Sequence, residues 1–259
     1  MRFQFGKNWQ SFSRSALNED KINQARNDFL ALFSDIDLKG KRFFDIGFGQ
    51  GLTLLLAGEA GANVYGIDID ADNLSALSET KKFFPAIEMP DTEVVSILDN
   101  NFIERQIKSG GYDVVHSWGV LHHTGNMEQA IKNATKLTKD RGFLIISIYN
   151  KHWSSPLWRC IKWTYNKAPN VMRCAMLRAL YPIVYTAKWC VTRRNPKKHK
   201  RGMDFWHNLV DWVGGYPYEY ATPQAVQKSV CDLGFTVVKY TPAAVPTGCN
   251  EFVFQKKAS

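Results

Sequence analysis

No Asp or Glu lies between Lys151 and Arg201, whereas thirteen Lys or Arg do. The rest of the chain holds twenty basic and twenty-four acidic residues, so a net charge of +9 conceals a body at −4 and one strongly basic segment. Such asymmetry points to an anionic partner: a membrane surface, a nucleic acid or a phosphorylated substrate. Cysteine is scarce too. Its five copies are odd in number and show no C-x-x-C spacing, which argues against a disulfide framework or a zinc knuckle and suits a reducing compartment. No uncharged apolar run approaches the ~18 residues of a membrane span, and no cationic stretch leads into an apolar run at the N-terminus. The expectation is a cytoplasmic protein, with any membrane contact peripheral. What is present is ordinary for a packed domain: 45% hydrophobic and 22% charged residues, with 8 Trp among its aromatics, which excludes a disordered chain.

Along the chain, Ile22, Ala25, Phe29 and Phe33 mark one face of a helix that Asn18 caps, and the aromatic stretch 3–9 before it reads as a short cap on the domain. Strands then alternate with helices: strands at 42–46, 63–67, 93–97, 113–117 and 142–149, helices at 52–60, 71–82 and 127–137, the last capped by Asn126. Alternation of this kind means a parallel sheet covered on both faces. Thr222-Pro223 opens a last helix closed by Gly234, and strands at 235–240 and 251–255 without a helix between them predict an antiparallel final pair. The expected organisation is an N-terminal helical cap over 1–40, an α/β core over 41–150, a basic aromatic helical insert over 151–221, and a return to the core over 222–259.

Asp45-Ile46-Gly47-Phe48-Gly49-Gln50-Gly51 stands where a buried strand feeds a helix. Its glycines permit a tight turn and close backbone approach to a nucleotide-type ligand. A dinucleotide fingerprint would need Gly or Ala at 52, where this chain has Leu52. The second strand closes on Asp68, a carboxylate able to accept two ribose hydroxyls. Together, the D-x-G-x-G-x-G turn, Asp68, the segment Ser96-Ile97-Leu98-Asp99, and the fourth strand running into Val120-Leu121-His122-His123 resemble the class I S-adenosylmethionine (SAM) dependent methyltransferases over residues 40–150.

The resemblance implies a Rossmann-like seven-stranded α/β sheet and a SAM-binding set of Asp45, Gly47, Gly49, Gly51, Asp68, Ile69, Asp99 and Ser117. Asp99, or Ser96 in its stead, would hold the adenine; a turn-forming Asp99 is the competing reading. It also implies that ligands gather at the strand carboxyl ends, with Trp118, Tyr149, Asn150 and Trp206 toward the substrate. Methyl transfer to a hydroxyl requires alignment and proton removal. His122 and His123 titrate near neutrality and are the first candidates for the base; shaping the loop is their other reading. His207, Asp211 and Glu219 in the aromatic segment that closes the insert are alternatives. The His pair has no third ligand at metal-binding spacing, so no metal is expected.

In the insert, Trp, Leu and Ile stand beside Lys and Arg, the composition of a helix in a membrane interface, and the basic residues 193 to 201 would add attraction to anionic lipid. A lid over the site reads the same residues equally well, and single-stranded RNA remains a weaker third choice. Among class I methyltransferases the chain looks most like the ubiquinone-biosynthesis O-methyltransferases, which implies O-methylation of a small or lipid-linked molecule. The alternatives are an RNA methyltransferase and a non-catalytic SAM-binding module at a membrane.

Overall fold

The computed structural model describes residues 3–196 and 204–258. Five members of the basic run, at 197, 198, 199, 200 and 201, therefore lie outside the described residues. Seven strands form one sheet: β1 (Arg42–Ile46), β2 (Asn63–Asp68), β3 (Asp91–Val94), β4 (Tyr112–Trp118), β5 (Thr138–Tyr149), β6 (Phe235–Thr241) and β7 (Cys249–Lys256). Their order is β3-β2-β1-β4-β5-β7-β6. The first five run parallel, and β7 lies antiparallel between β5 and β6. This is the Rossmann-like sheet with an antiparallel last strand that the sequence implies.

Burial explains why the central strands read as apolar runs. Phe44 and Ile46 of β1 enter one core with Phe102, Ile131, Val226 and Phe252, while Phe43 enters the opposite core with Phe29, Leu54, Leu55 and Val253. The first core is covered by α5 (Asn100–Lys108), α6 (Met127–Leu137) and α10 (Pro223–Cys231). The second is covered by α2 (Glu19–Leu32) and α3 (Leu52–Glu59), with α4 (Asp72–Lys81) beside them. Asn18 caps α2 as read, its side chain accepting from the Lys21 N–H at 3.0 Å.

Three helices appear that the sequence reading does not place individually, two of them inside the segments 1–40 and 151–221 that it expects to be helical. The segment read as a short aromatic cap forms α1 (Phe5–Ser15). The turn-like Asp99-Asn100-Asn101 opens α5, and the dense aromatic stretch that closes the insert forms α9 (Phe205–Gly214). The third strand pairs over Asp91–Val94 instead of 93–97; at an open sheet edge only Asp68 and its three predecessors on β2 fix its register. The insert folds as α7 (Ser155–Lys167) and α8 (Asn170–Thr192), and α8 runs on through Pro182. With α9 these helices share a small core of Tyr165, Leu177, Leu209 and Val213, on which Phe3 packs.

Candidate cofactor and acceptor site

The direction of strand succession reverses between β1 and β4, which places a ligand crevice beyond their carboxyl ends. β1 ends there in the glycine turn. Gly51 has φ +75°, and a Cβ on it would stand 2.1 Å from Leu77 Cδ1 of α4. Gly47 has φ +74°, and its Cβ would stand 2.5 Å from Val120 Cγ2, just past β4. Neither position admits a side chain, so the turn stays bare backbone wedged between two elements. α1 lies across it: the Trp9 indole is 3.2 Å from where a Gly49 Cβ would be, and the Gly6 N–H donates to Asp70 at 2.8 Å.

Asp68 closes β2 beside this turn. One carboxylate oxygen accepts from the Gly49 N–H at 3.0 Å and the other from the Asp70 N–H at 2.9 Å. Burial raises its pKa, and the two backbone donors oppose that rise. The carboxylate is thus fixed by the turn it serves, with further lone pairs on both oxygens for the hydroxyls of a ribose. Ile69 follows, 45% exposed at the rim. The bare turn, with a buried carboxylate at the end of the next strand, fits an adenosine-containing cofactor such as SAM.

Several polar residues expected here are engaged elsewhere. The Asp45 carboxylate is committed to His116 Nδ1 at 2.7 Å, buried between β1 and β4. The Ser117 hydroxyl, wholly buried, donates to the Ile46 carbonyl at 3.2 Å and ties β4 to β1. Asp99 caps α5 by accepting from the Phe102 N–H at 2.8 Å, a helix start where the competing reading has a turn, and Ser96 accepts from Leu98. Asn150 is held by the Pro246 carbonyl and the Asn250 amide. Glu219 accepts from the Gly125 and Met127 N–H groups at the start of α6. Side chains spent on neighbouring backbone are struts of the crevice.

The histidine pair forms a 3-10 turn after β4. His122 is fully buried with neither ring nitrogen in a hydrogen bond of ordinary length, while His123 Nδ1 donates to the Pro217 carbonyl at 2.6 Å. Burial lowers both: His122 well below the ordinary histidine value, with the neighbouring His123 and Lys162 adding to the effect, and His123 to about 3, with Lys162 adding. Imidazoles so depressed stay neutral and are poor proton acceptors, which weakens the general-base reading of either. His207 pairs with Asp204 at 2.5 Å in the first turn of α9 and meets the Phe12 ring of α1 edge to face. Trp206 packs on Tyr181 of α8. Both join helices of the cap and insert rather than the strand ends. Trp118, 40% exposed at the end of β4, donates to Glu251 at 2.9 Å. Tyr149 ends β5 with its buried ring 4.1 Å from that of His122 and 5.2 Å from that of Tyr218.

The sequence reading missed the residue behind these rings. Lys162, counted there as one more positive charge of the insert, has no exposed surface. A helical stripe could have found it, since Ser155, Trp158, Lys162 and Tyr165 recur at three- and four-residue steps on one face of α7. Trp9, brought to the glycine turn from forty residues away, carries no local signal.

Known proteins resemble the chain at this level. The family model described as a methyltransferase domain matches residues 17–184. The rat mitochondrial ubiquinone biosynthesis O-methyltransferase is 28% identical over 140 residues, 52% of this chain and 40% of that protein. The Hydrogenovibrio crunogenus ubiquinone biosynthesis O-methyltransferase is 29% identical over 143 residues, 53% of this chain and 54% of that one. The chain thus spans about half the length of the curated relatives it matches. Among solved structures, magnesium protoporphyrin IX methyltransferase from Synechocystis PCC 6803 with bound S-adenosylhomocysteine superposes with a TM-score of 0.59 at 16% identity, covering 97% of this chain and 94% of that one. At that identity the likeness is one of fold.

Proposed function

The chain belongs to the methyltransferase domain family, and from that premise we propose that it transfers the methyl group of SAM to an oxygen of a small or lipid-linked acceptor. The observation that carries the reading is the pairing of the bare glycine turn with Asp68, two adjacent strand ends that hold one carboxylate against one loop. SAM, when bound, supplies a methyl carbon made electrophilic by its sulfonium. The chain's own part is binding, alignment and exclusion of water. Gly47, Gly49 and Gly51 let the ligand meet backbone, Asp68 accepts its ribose hydroxyls, and Ile69 offers an apolar edge. α1 covers the turn through Trp9. Trp118, Val120 and Tyr149, at the ends of β4 and β5, face the acceptor side. The oxygen acceptor is supported by the likeness to the ubiquinone biosynthesis O-methyltransferases.

The lipid-linked half of the reading rests on the insert. Of the 23 residues of α8 only Leu177 is buried, and Trp153, Trp163, Val171, Ile183 and Trp189 stand exposed among basic residues with no acidic one between them. A helix used only as a lid would bury its apolar side against the core. An exposed apolar side with a basic rim suits the interface of an anionic membrane, held from one side. Among the described residues no helix is long and apolar enough to cross a membrane.

Calorimetric titration with S-adenosylhomocysteine, and separately with NADH, tests the reading. Micromolar binding of the first and none of the second is the expected result. Binding of NADH alone would assign the glycine turn to a nicotinamide cofactor and end the methyl-transfer reading.

A further inference from the structure

An ammonium group without exposed surface is expensive unless it is paired. Lys162 Nζ donates to the Trp212 carbonyl, a neutral partner. It lies 4.7 Å from the centre of the Tyr218 ring, 5.0 Å from that of Trp212 and 5.6 Å from that of Tyr149. Asp211 acts on it only through space, since the Asp211 carboxylate is held by Asn8 at 2.6 Å. Two further polar groups in this neighbourhood, the His122 ring and the Tyr218 hydroxyl, are buried without a hydrogen bond of ordinary length, the Ser147 main chain and the Ser155 side chain acting on them more weakly. The Tyr149 ring touches both residues and Lys162 alike. A box of rings thus runs from the loop after β4 to a caged amine, with unused donors and acceptors along it. As packing alone this would be poor economy, because a methionine would fill the same space with no charge to desolvate. Unpaired buried polar groups call for a partner.

We propose that Lys162 receives an acidic hydroxyl of the methyl acceptor, a phenol or an enol, and holds it as the oxyanion, with the Tyr218 hydroxyl and His122 sharing the same polar head. The inference rests on the methyl-transfer reading and names its substrate class. The neutral amine takes the hydroxyl proton and becomes an ammonium. The oxyanion's lone pair then forms the bond to the methyl carbon as the carbon–sulfur bond breaks, its electron pair remaining on sulfur. The proton left on Lys162 passes to water when product leaves.

Burial lowers Lys162 to about 7, against the opposing pull of Cys249 and Asp211, so the neutral amine is available near neutrality. The other titratable groups facing it are His122, His123, Tyr149 and Tyr218. Burial keeps the histidines neutral and pushes the tyrosines up, so none of these four competes for the proton; Asp211, which burial raises to about 7, titrates in the same range as the lysine. An ordinary phenol, near pKa ~10, gives its proton to such an amine reluctantly; a hydroxyl acidified by its ring or by a neighbouring carbonyl does so readily. The box selects for acidity.

The test uses 4-nitrocatechol, whose colour reports ionisation, titrated into the full-length protein with S-adenosylhomocysteine at a pH below the probe's own ionisation. The wild type should bind it with the nitrophenolate band. Lys162→Met should weaken binding about tenfold or more and leave any bound probe neutral, and Lys162→Arg, a permanent cation, should restore the band. Affinity for S-adenosylhomocysteine should be unchanged in all three. A wild type that binds S-adenosylhomocysteine but leaves the probe unbound or neutral overturns the inference whether or not the variants fold, and so does a Met variant that keeps the band. Absence of S-adenosylhomocysteine binding instead removes the methyl-transfer reading beneath it.

Discussion

Replacing Asp68 with Asn preserves shape and removes charge, and the two consequences can be measured separately. The carboxylate accepts two backbone N–H groups, from Gly49 and Asp70, at 3.0 and 2.9 Å. An amide has one acceptor oxygen, so its NH₂ must face one of these donors, leaving a buried N–H unpaired at about 1–3 kcal/mol of stability. For the ligand the loss is larger. Two ribose hydroxyls bound to a carboxylate contribute about 1.5–3 kcal/mol each as charge-assisted hydrogen bonds, of which the amide recovers at most one in weaker form. The net loss is about 2–4 kcal/mol, or roughly 30- to 1,000-fold in the dissociation constant of S-adenosylhomocysteine. Calorimetry measures that loss, and a thermal melt on the same sample measures the first. Because burial raises the Asp68 pKa, wild-type affinity should fall as pH falls through that raised value and the ribose acceptor becomes a protonated acid. The Asn variant, with nothing there to protonate, should lack that acid limb. An Asn variant that is folded and binds within about threefold of the wild type would refute the assignment of Asp68 to the ribose.

Gly51→Ala places a Cβ 2.1 Å from Leu77 at φ +75°; backbone strain of about 1–2 kcal/mol and overpacking of about 1–3 kcal/mol should lower the melting temperature by roughly 5–15 °C, and a melt unchanged by calorimetry contradicts the wedge. Asp45→Ala leaves His116, whose Nε2 already lacks a partner, with no partner for Nδ1 either. It should cost about 1–3 kcal/mol in denaturant unfolding while changing S-adenosylhomocysteine affinity less than Asp68→Asn does; the opposite ranking would return Asp45 to the cofactor. Trp163→Ser with Trp189→Ser, both about half exposed, should weaken co-sedimentation with phosphatidylglycerol vesicles about tenfold, and raised salt should weaken it further. Wild-type protein that stays in the supernatant at low salt removes the membrane contact.

What was legible follows from how local its cause is. The Asn18 cap, the runs at 42–46 and 63–67, and the Thr222-Pro223 start are set by residues within a few positions of each other, and the structure has all of them. The glycine turn and Asp68 were legible as a pair because a parallel βαβ unit must bring the ends of consecutive strands together. α1 was not, since what holds it comes from afar: Gly6 to Asp70, Asn8 to Asp211, Trp9 to the turn. α5 was hidden because an Asp that starts a turn and an Asp that caps a helix are the same residue until Phe102 and Ile103 are seen to be buried. The direction of a polar side chain is the least local property of all. Ser117, Asn150 and Glu219 sit at strand ends or in loops of the crevice, yet each is spent on neighbouring main chain.

The count of thirteen basic residues against no acidic one merges two different uses of charge. Successive residues of a helix point about 100° apart, so Lys162 and Trp163 diverge: the lysine has no exposed surface, while the indole is about half exposed. If the outer face of α7 meets lipid and its inner face meets the acceptor, the two functions separate at adjacent positions. Trp163→Ser should then reduce vesicle binding and leave the nitrophenolate band of bound 4-nitrocatechol in place. Lys162→Met should abolish the band and leave vesicle binding as it was, because a charge without exposed surface contributes almost nothing to attraction by a surface outside. A lysine variant that loses both together would mean that α7 moves as a unit when its anchor is removed, and that Lys162 is a fastening of the insert rather than a contact for the acceptor.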